Sequence, residues 1–196
     1  MCCRNLHQFI GFWDIDEFLV PITISPSSVL EYMRKFETEG ALGVSWRVVG
    51  PSGHVRKPHG GVLRNFNSCT PWDYPDNSEI KSIVNAKYAL HPTSDPHTFV
   101  YAQGKTAVDT VGEAILDGSR HPLIAKRWKE EGRPPTLALY HFVTKSEEEY
   151  QIKMKRGSAM GNRKDMSYFK KIMSAATEPC EEAFNTCTHL KSKWCV

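Results

Sequence analysis

The apolar run Phe9-Ile10-Gly11-Phe12-Trp13 stops abruptly at Asp14-Ile15-Asp16. A short stretch rich in aromatic and branched side chains, bounded by acids, has the length and make-up of a buried strand. If the extended pattern runs on through the acids, side chains alternate. Asp14 and Asp16 then project to one side while Ile15 turns into apolar packing. Two carboxylates this close repel each other, and near a core they need a cation between them. Hard ions such as Mg²⁺ or Mn²⁺ suit carboxylate oxygens. In open α/β sheets ligands bind beyond the carboxyl ends of strands, which is where this pattern puts both acids. A divalent ion there can bridge a diphosphate and stabilise it as a leaving group. The plain alternative is two acids opening a solvated loop, and a bare D-x-D does not separate the two.

The rest of the chain alternates strand-like and helix-like segments. Pro21 and Pro26 mark a loop, and Ser28-x-x-Glu31 has the form of a capping box. It would open a helix whose apolar face is Val29, Tyr32 or Met33, and Phe36, stopped at Gly40. Strands are expected at Ala41–Val49, Val62–Phe66, Ile80–Val84, Thr98–Tyr101 and Leu137–Val143, with a turn at Gly50–Gly53. The Gly-, Pro- and charge-rich stretch from Gly104 to Pro135 reads as an insertion of loops and short turns. Ser146-x-x-Glu149 is a second capping box, opening a helix to about Arg156 that stops at Gly157. Within that helix Glu149 and Lys153 form a favourable i,i+4 pair, and Tyr150 and Met154 face inward. Residues 1–160 are expected to form the main domain, and 161–196 a polar, basic tail with a helix from Asp165 to Ala176.

Charge and composition exclude some classes. Net charge is +3, from 25 Lys+Arg against 22 Asp+Glu, so no concentrated basic face argues for nucleic acid. No apolar run approaches the roughly 20 residues that span a bilayer, and the first residues lack a secretory pattern. Six cysteines, with Cys180, Cys187 and Cys195 clustered, fit a lumenal or secreted protein with disulfides. Reduced structural cysteines fit equally well.

Phe12-Trp13-Asp14-Ile15-Asp16-Glu17-Phe18-Leu19 resembles the W-I-x-F-x-D-x-D-E-F segment of glycosyltransferase family 92, which includes the plant galactan β-galactosyltransferases. Further blocks match in order. They are Gly43-Val44-Ser45-Trp46 with Gly50–His54, Ile80–Val84 with Pro96-His97, and Tyr140–Tyr150 with Lys153 and Arg156-Gly157. The resemblance implies an α/β fold of GT-A type, with a mixed sheet and flanking helices. It implies metal-dependent, inverting transfer of a hexose, galactose above all, from a UDP-sugar to a glycan acceptor. It also implies Mn²⁺ (or Mg²⁺) and a Golgi location. By the same resemblance Asp14 and Asp16 hold the metal and the donor, with either His97 or His141 completing the metal shell. Lys81 and Lys145 would neutralise diphosphate oxygens. The base that deprotonates the acceptor would be Glu148 or Asp95, Glu149 being engaged as a cap.

Thirteen residues precede Asp14, too few for the nucleotide-binding half that a GT-A domain places before D-x-D. The chain therefore reads as the carboxyl-terminal part of a catalytic domain, its amino-terminal half and membrane anchor missing. Two other functions remain open from the residues alone. One is a non-catalytic carbohydrate-binding or degenerate homologue, with Trp46, Trp72 and Tyr74 available to stack on sugars. The other is a metal-dependent nucleotidyl- or phosphotransferase, which also needs paired aspartates.

Overall fold

Strand β3 (Ala41–Val48) is buried along nearly its whole length, so it needs cover on both faces. The computed structural model describes residues 6–95, 97–116, 118–157 and 165–189. In it β3 lies at the centre of a seven-stranded mixed sheet. The main path runs from β1 (Phe9–Gly11) through β5 (Ile80–Asn85), β3 and β10 (Leu137–His141) to β2 (Glu17–Pro21). β10 is parallel to β3, pairing Leu139 with Trp46 and His141 with Val48. β5 and β2 run antiparallel to them, and β1 antiparallel to β5. Hence β1, β3 and β10 end at the same edge of the sheet. Beside the first half of β3, which β10 does not reach, β8 (Ala107–Val108) pairs instead and carries β9 (Ala114–Ile115).

Period-2 alternation along these strands feeds two apolar layers. On one face Leu42, Val44, Ile83, Leu137 and Leu139 pack with Phe36 and with Met33 of α1 (Val29–Arg34). On the other, Val20, Ala138 and Tyr140 pack with Leu63 of α2 (Val62–Asn65) and Trp128 of α3 (Leu123–Glu131). Ala183 and Cys187 of α6 (Glu182–His189) join that layer. The helix after β10 is α4 (Glu147–Arg156), and α5 (Met166–Ala175) sets Ile172 against Val48 and Val143. Short ladders join β4 (Ser68–Cys69) to β11 (Glu178–Pro179) and β6 (Ala89–Pro92) to β7 (Phe99–Tyr101). A disulfide links Cys69 to Cys180, and Cys187 is disulfide-bonded too. No helix among the described residues is long and apolar enough to cross a membrane.

The mixed sheet with flanking helices agrees with the expected α/β class, but several local expectations fail. Residues 17–21, expected to lead into a loop, form β2, because Glu17–Pro21 finds a full antiparallel partner in β10. Pro21 is tolerated as the last residue of a strand at the sheet margin. Ser28 accepts no capping bond, and α1 ends at Arg34. Residues 62–65 are helical rather than extended, with Asn65 Nδ2 donating back to the carbonyls of His59 and Gly61, each at 2.9 Å, and Phe66 alone is extended. The 104–135 stretch is not merely loops: it holds β8, β9 and α3. The second capping box does form, Glu149 N–H donating to Ser146 Oγ while Glu149 Oε2 takes the Ser146 N–H. Lys153 does not pair with Glu149. It reaches Asp16 instead, at 2.9 Å, because Glu149 is already committed to the cap. Tyr150 is buried as expected and Met154 partly so.

Candidate active site

β1 and β2 stand at opposite margins of the main sheet path, so residues 12–16 carry the chain across the edge where β1, β3 and β10 end. The strand does not continue through the acids. Gly11 closes β1, and a Cβ there would lie 2.7 Å from the Trp13 indole, so glycine lets that ring fold back over the strand end. Asp14 to Glu17 then form a turn closed twice. Glu17 N–H donates to Asp14 O at 3.0 Å, and Asp14 N–H donates to Glu17 Oε2 at 2.9 Å. Ile15 sits at the tip, 95% exposed rather than packed inward. The two aspartates consequently face different cations.

Asp14 is mostly exposed and lies 3.1 Å from Lys81 Nζ on β5. Asp16 is largely enclosed, its main-chain oxygen accepting from Phe142 N–H at 2.9 Å. Its Oδ2 accepts from Lys153 Nζ on α4 at 2.9 Å, and its Oδ1 lies 3.9 Å from His141 Nε2 at the end of β10. Burial alone would raise the Asp16 carboxyl, but His141, Lys153 and Lys145 outweigh it and hold it below the usual carboxylate range. Glu17, the next residue, is fully buried, and burial pushes its carboxyl up despite Asp14 N–H and Lys81 at 3.7 Å.

The same sheet face continues inward as a polar and aromatic cluster. The Trp46 indole packs against two imidazoles, with ring centroids 4.4 Å from His141 and 5.6 Å from His97. Burial, then Lys81, keeps the His97 imidazole below the ordinary histidine value. Asp95 Oδ1 accepts from His97 N–H at 2.9 Å. Burial favours the neutral Asp95 carboxyl, yet a hydrogen bond from Ser119 and the His97 N–H bring it below its ordinary value. Glu148 Oε2 accepts from Lys57 N–H at 2.9 Å. Both carboxylates expected as bases are thus engaged in holding loops.

A groove of about 220 Å³ opens beside Asp16, between the turn and α4. Phe142 and Val143 line it, Ile15 and Ile152 flank it, and Lys145, Lys153 and Arg156 supply positive charge. Lys145 adopts the left-handed conformation, φ 52°, which costs a non-glycine residue energy and concentrates at functional sites. Among the described residues no group of three or more His, Cys, Asp or Glu is placed to hold a metal. Mg²⁺ and Mn²⁺ are bound through one or two carboxylates, with water and phosphate completing the shell, so the Asp16 carboxylate fits such an ion and His141 would be its nitrogen ligand. Trp72 does not offer a sugar platform. It is 5% exposed and stacks under the Arg47 guanidinium, 3.9 Å away.

Glu17, Lys153 and Arg156 belong to the site although no pattern in the sequence alone assigns them there. Lys153 was hidden because a helix-surface lysine with a glutamate four residues earlier has an ordinary explanation. Glu17 adjoins D-x-D, and its adjacency was the available signal.

A family model for glycosyltransferase family 92 matches residues 3–156. That span holds every site residue described above. The chain belongs to glycosyltransferase family 92. None of the curated proteins compared with it matches. Family 92 is a family of transferases acting on sugar donors and acceptors, which sets aside the nucleotidyl- or phosphotransferase reading. The matched span stops at the end of α4. The docked segment 165–189, with α5 and α6, lies beyond it.

Proposed function

We propose that this family 92 chain carries the part of a catalytic site that transfers a hexose, galactose in the first instance, from a UDP-sugar to a glycan acceptor with inversion. The observation that carries the reading is the divided environment of Asp16. One oxygen faces His141 and the other faces Lys153 at the mouth of a cationic groove. Asp16 and His141 would hold a Mn²⁺ or Mg²⁺ ion, with Asp14 close by on the same turn. When bound, such an ion neutralises charge developing on the departing diphosphate.

The chain's own residues supply the remainder. Lys145, Lys153 and Arg156 offer positive charge to the diphosphate from the groove side, and Lys81 holds Asp14 from the sheet side. Trp46 packs against His141 with its ring tilted by 59°. The Cys69–Cys180 disulfide fits an oxidising lumen, in keeping with work in the Golgi.

The test is Mn²⁺-dependent release of UDP from UDP-galactose, with a galactan acceptor and with EDTA as control. Asp16→Ala and His141→Ala should each lower kcat/KM by at least about 100-fold, the scale for losing a metal ligand or a group stabilising the transition state. Full activity in either variant, or equal activity in EDTA, would sink the metal reading.

A further inference from the structure

The catalytic turn carries a third carboxylate whose position no metal or donor contact explains. Glu17 opens β2 in cross-strand register with His141, so its side chain points to the same sheet face as that imidazole. It is fully buried, and its two oxygens are unequal. Oε2 accepts the Asp14 N–H at 2.9 Å and lies 3.7 Å from Lys81 Nζ, while Oε1 has no hydrogen-bond partner. Burying a carboxylate in this way is costly unless its fixed partners require it.

Lys81 is itself shared. Its ammonium lies 3.1 Å from Asp14 Oδ2 and 3.7 Å from Glu17 Oε2, with only 8% of the side chain exposed. Glu17 thus grips the turn at two points, through the Asp14 main chain directly and through the Asp14 carboxylate by way of Lys81. Its own N–H closes the turn onto Asp14 O. With the turn clamped, Asp16 is held with its main-chain oxygen on Phe142 N–H and Oδ1 toward His141.

We propose that Glu17 is the positioning residue of this site: with Lys81 it fixes the Asp14–Asp16 turn in the conformation that receives the donor's diphosphate and its cation. The proposal rests on the reading of Asp16 and His141 as the seat of that cation. The Glu17 carboxylate hydrogen-bonds to neither side chain, and it acts through Asp14 and Lys81. Groups that orient metal ligands in this way typically govern affinity or activity by about 10–100-fold.

The experiment compares wild type, Glu17→Gln, Glu17→Ala and Asp16→Ala by calorimetric titration of UDP, once with Mn²⁺ and once with EDTA, alongside thermal unfolding. Glutamine keeps an acceptor for the Asp14 N–H but loses the charge that anchors Lys81; alanine loses both. UDP affinity should fall about 3- to 10-fold in Glu17→Gln and about 10- to 100-fold in Glu17→Ala. A purely structural role predicts lowered unfolding temperatures with unchanged UDP affinity in the folded variants, and that result overturns the proposal. Equal loss in the Gln and Ala variants also overturns it, because the N–H contact would then count for nothing. If Glu17→Ala does not fold, wild-type affinity in Glu17→Gln is sufficient to reject the idea. Wild type binding UDP equally in EDTA defeats the metal seat alone, since the Glu17 variants are still compared in that condition. Absence of binding by wild type in both conditions defeats both.

Discussion

Asp16 shows how a single side chain acquires its role from position. Burial opposes its charge, and His141, Lys153 and Lys145 together restore it. Asp14, two residues away, is exposed and answers to a different lysine. Lys145 makes the cost of such placement measurable. Its left-handed backbone costs a residue with a Cβ about 1–2 kcal/mol, and glycine is free of that strain at an entropic cost of about 0.5–1 kcal/mol. Lys145→Gly should therefore unfold at an equal or higher temperature than wild type, while KM for the UDP-sugar rises several-fold. A clear drop in unfolding temperature would show that the lysine side chain stabilises the fold rather than the donor.

At the scale of elements, the legible parts were those whose pattern is self-contained. The Ser146/Glu149 capping box and Gly157 locate α4 from local chemistry alone, and the apolar runs give β3 and β10. Residues 17–21 and 104–135 were not legible, because their order depends on partners distant in sequence. The latter stretch is fastened by Asp109, buried just after β8. Its Oδ1 accepts from Val111 and Glu113 N–H, and its Oδ2 meets His121 Nε2 at 2.9 Å and Arg127 at 2.6 Å. Burial acts against its charge, but the hydrogen bonds led by His121 hold its carboxyl down from 3.8 to about 2. A folded value below the unfolded one gives stability that is present above the unfolded pKa and lost as pH falls through the folded one. That window runs from about pH 4 to about pH 2, and the loss amounts to about 2 kcal/mol. Asp109→Asn should be less stable at neutral pH by about 1.5–3 kcal/mol, since it removes the charge that His121 and Arg127 share while leaving Arg127 its Glu113 partner at 2.6 Å. Urea unfolding across that window should then show a flatter pH dependence than wild type. An equally steep slope in the variant would assign the acid sensitivity to other carboxylates.

At the scale of the whole molecule, the docked segment 165–189 is held to the sheet by contacts spread across the chain. The Cys69–Cys180 disulfide closes a separation of 111 residues. Arg47 pairs with Glu178 at 2.6 Å, and Tyr140 donates to Glu182 at 2.9 Å. A cross-link of that span stabilises by about 5 kcal/mol if the effect is loop entropy. The double variant Cys69→Ala/Cys180→Ala should unfold at a markedly lower denaturant midpoint, with residues 165–189 gaining hydrogen exchange ahead of β3 and β10. Simultaneous exchange of both regions would mean that the segment and the sheet unfold as one unit.

The sequence alone determined the α/β class, the central strands, α4 with its cap, and the family, because periodicity, capping chemistry and ordered motifs are local properties. It also located the acidic pair and listed His141 among the partners. Only the tertiary structure decided that the pair lies in a turn crossing the sheet edge. It alone assigned Asp16 to His141 and Lys153, left Asp14 to Lys81, and buried Glu17 behind them. Those choices depend on which strands become neighbours: β1 and β2 are consecutive in sequence yet sit at opposite margins, and no local pattern encodes that distance.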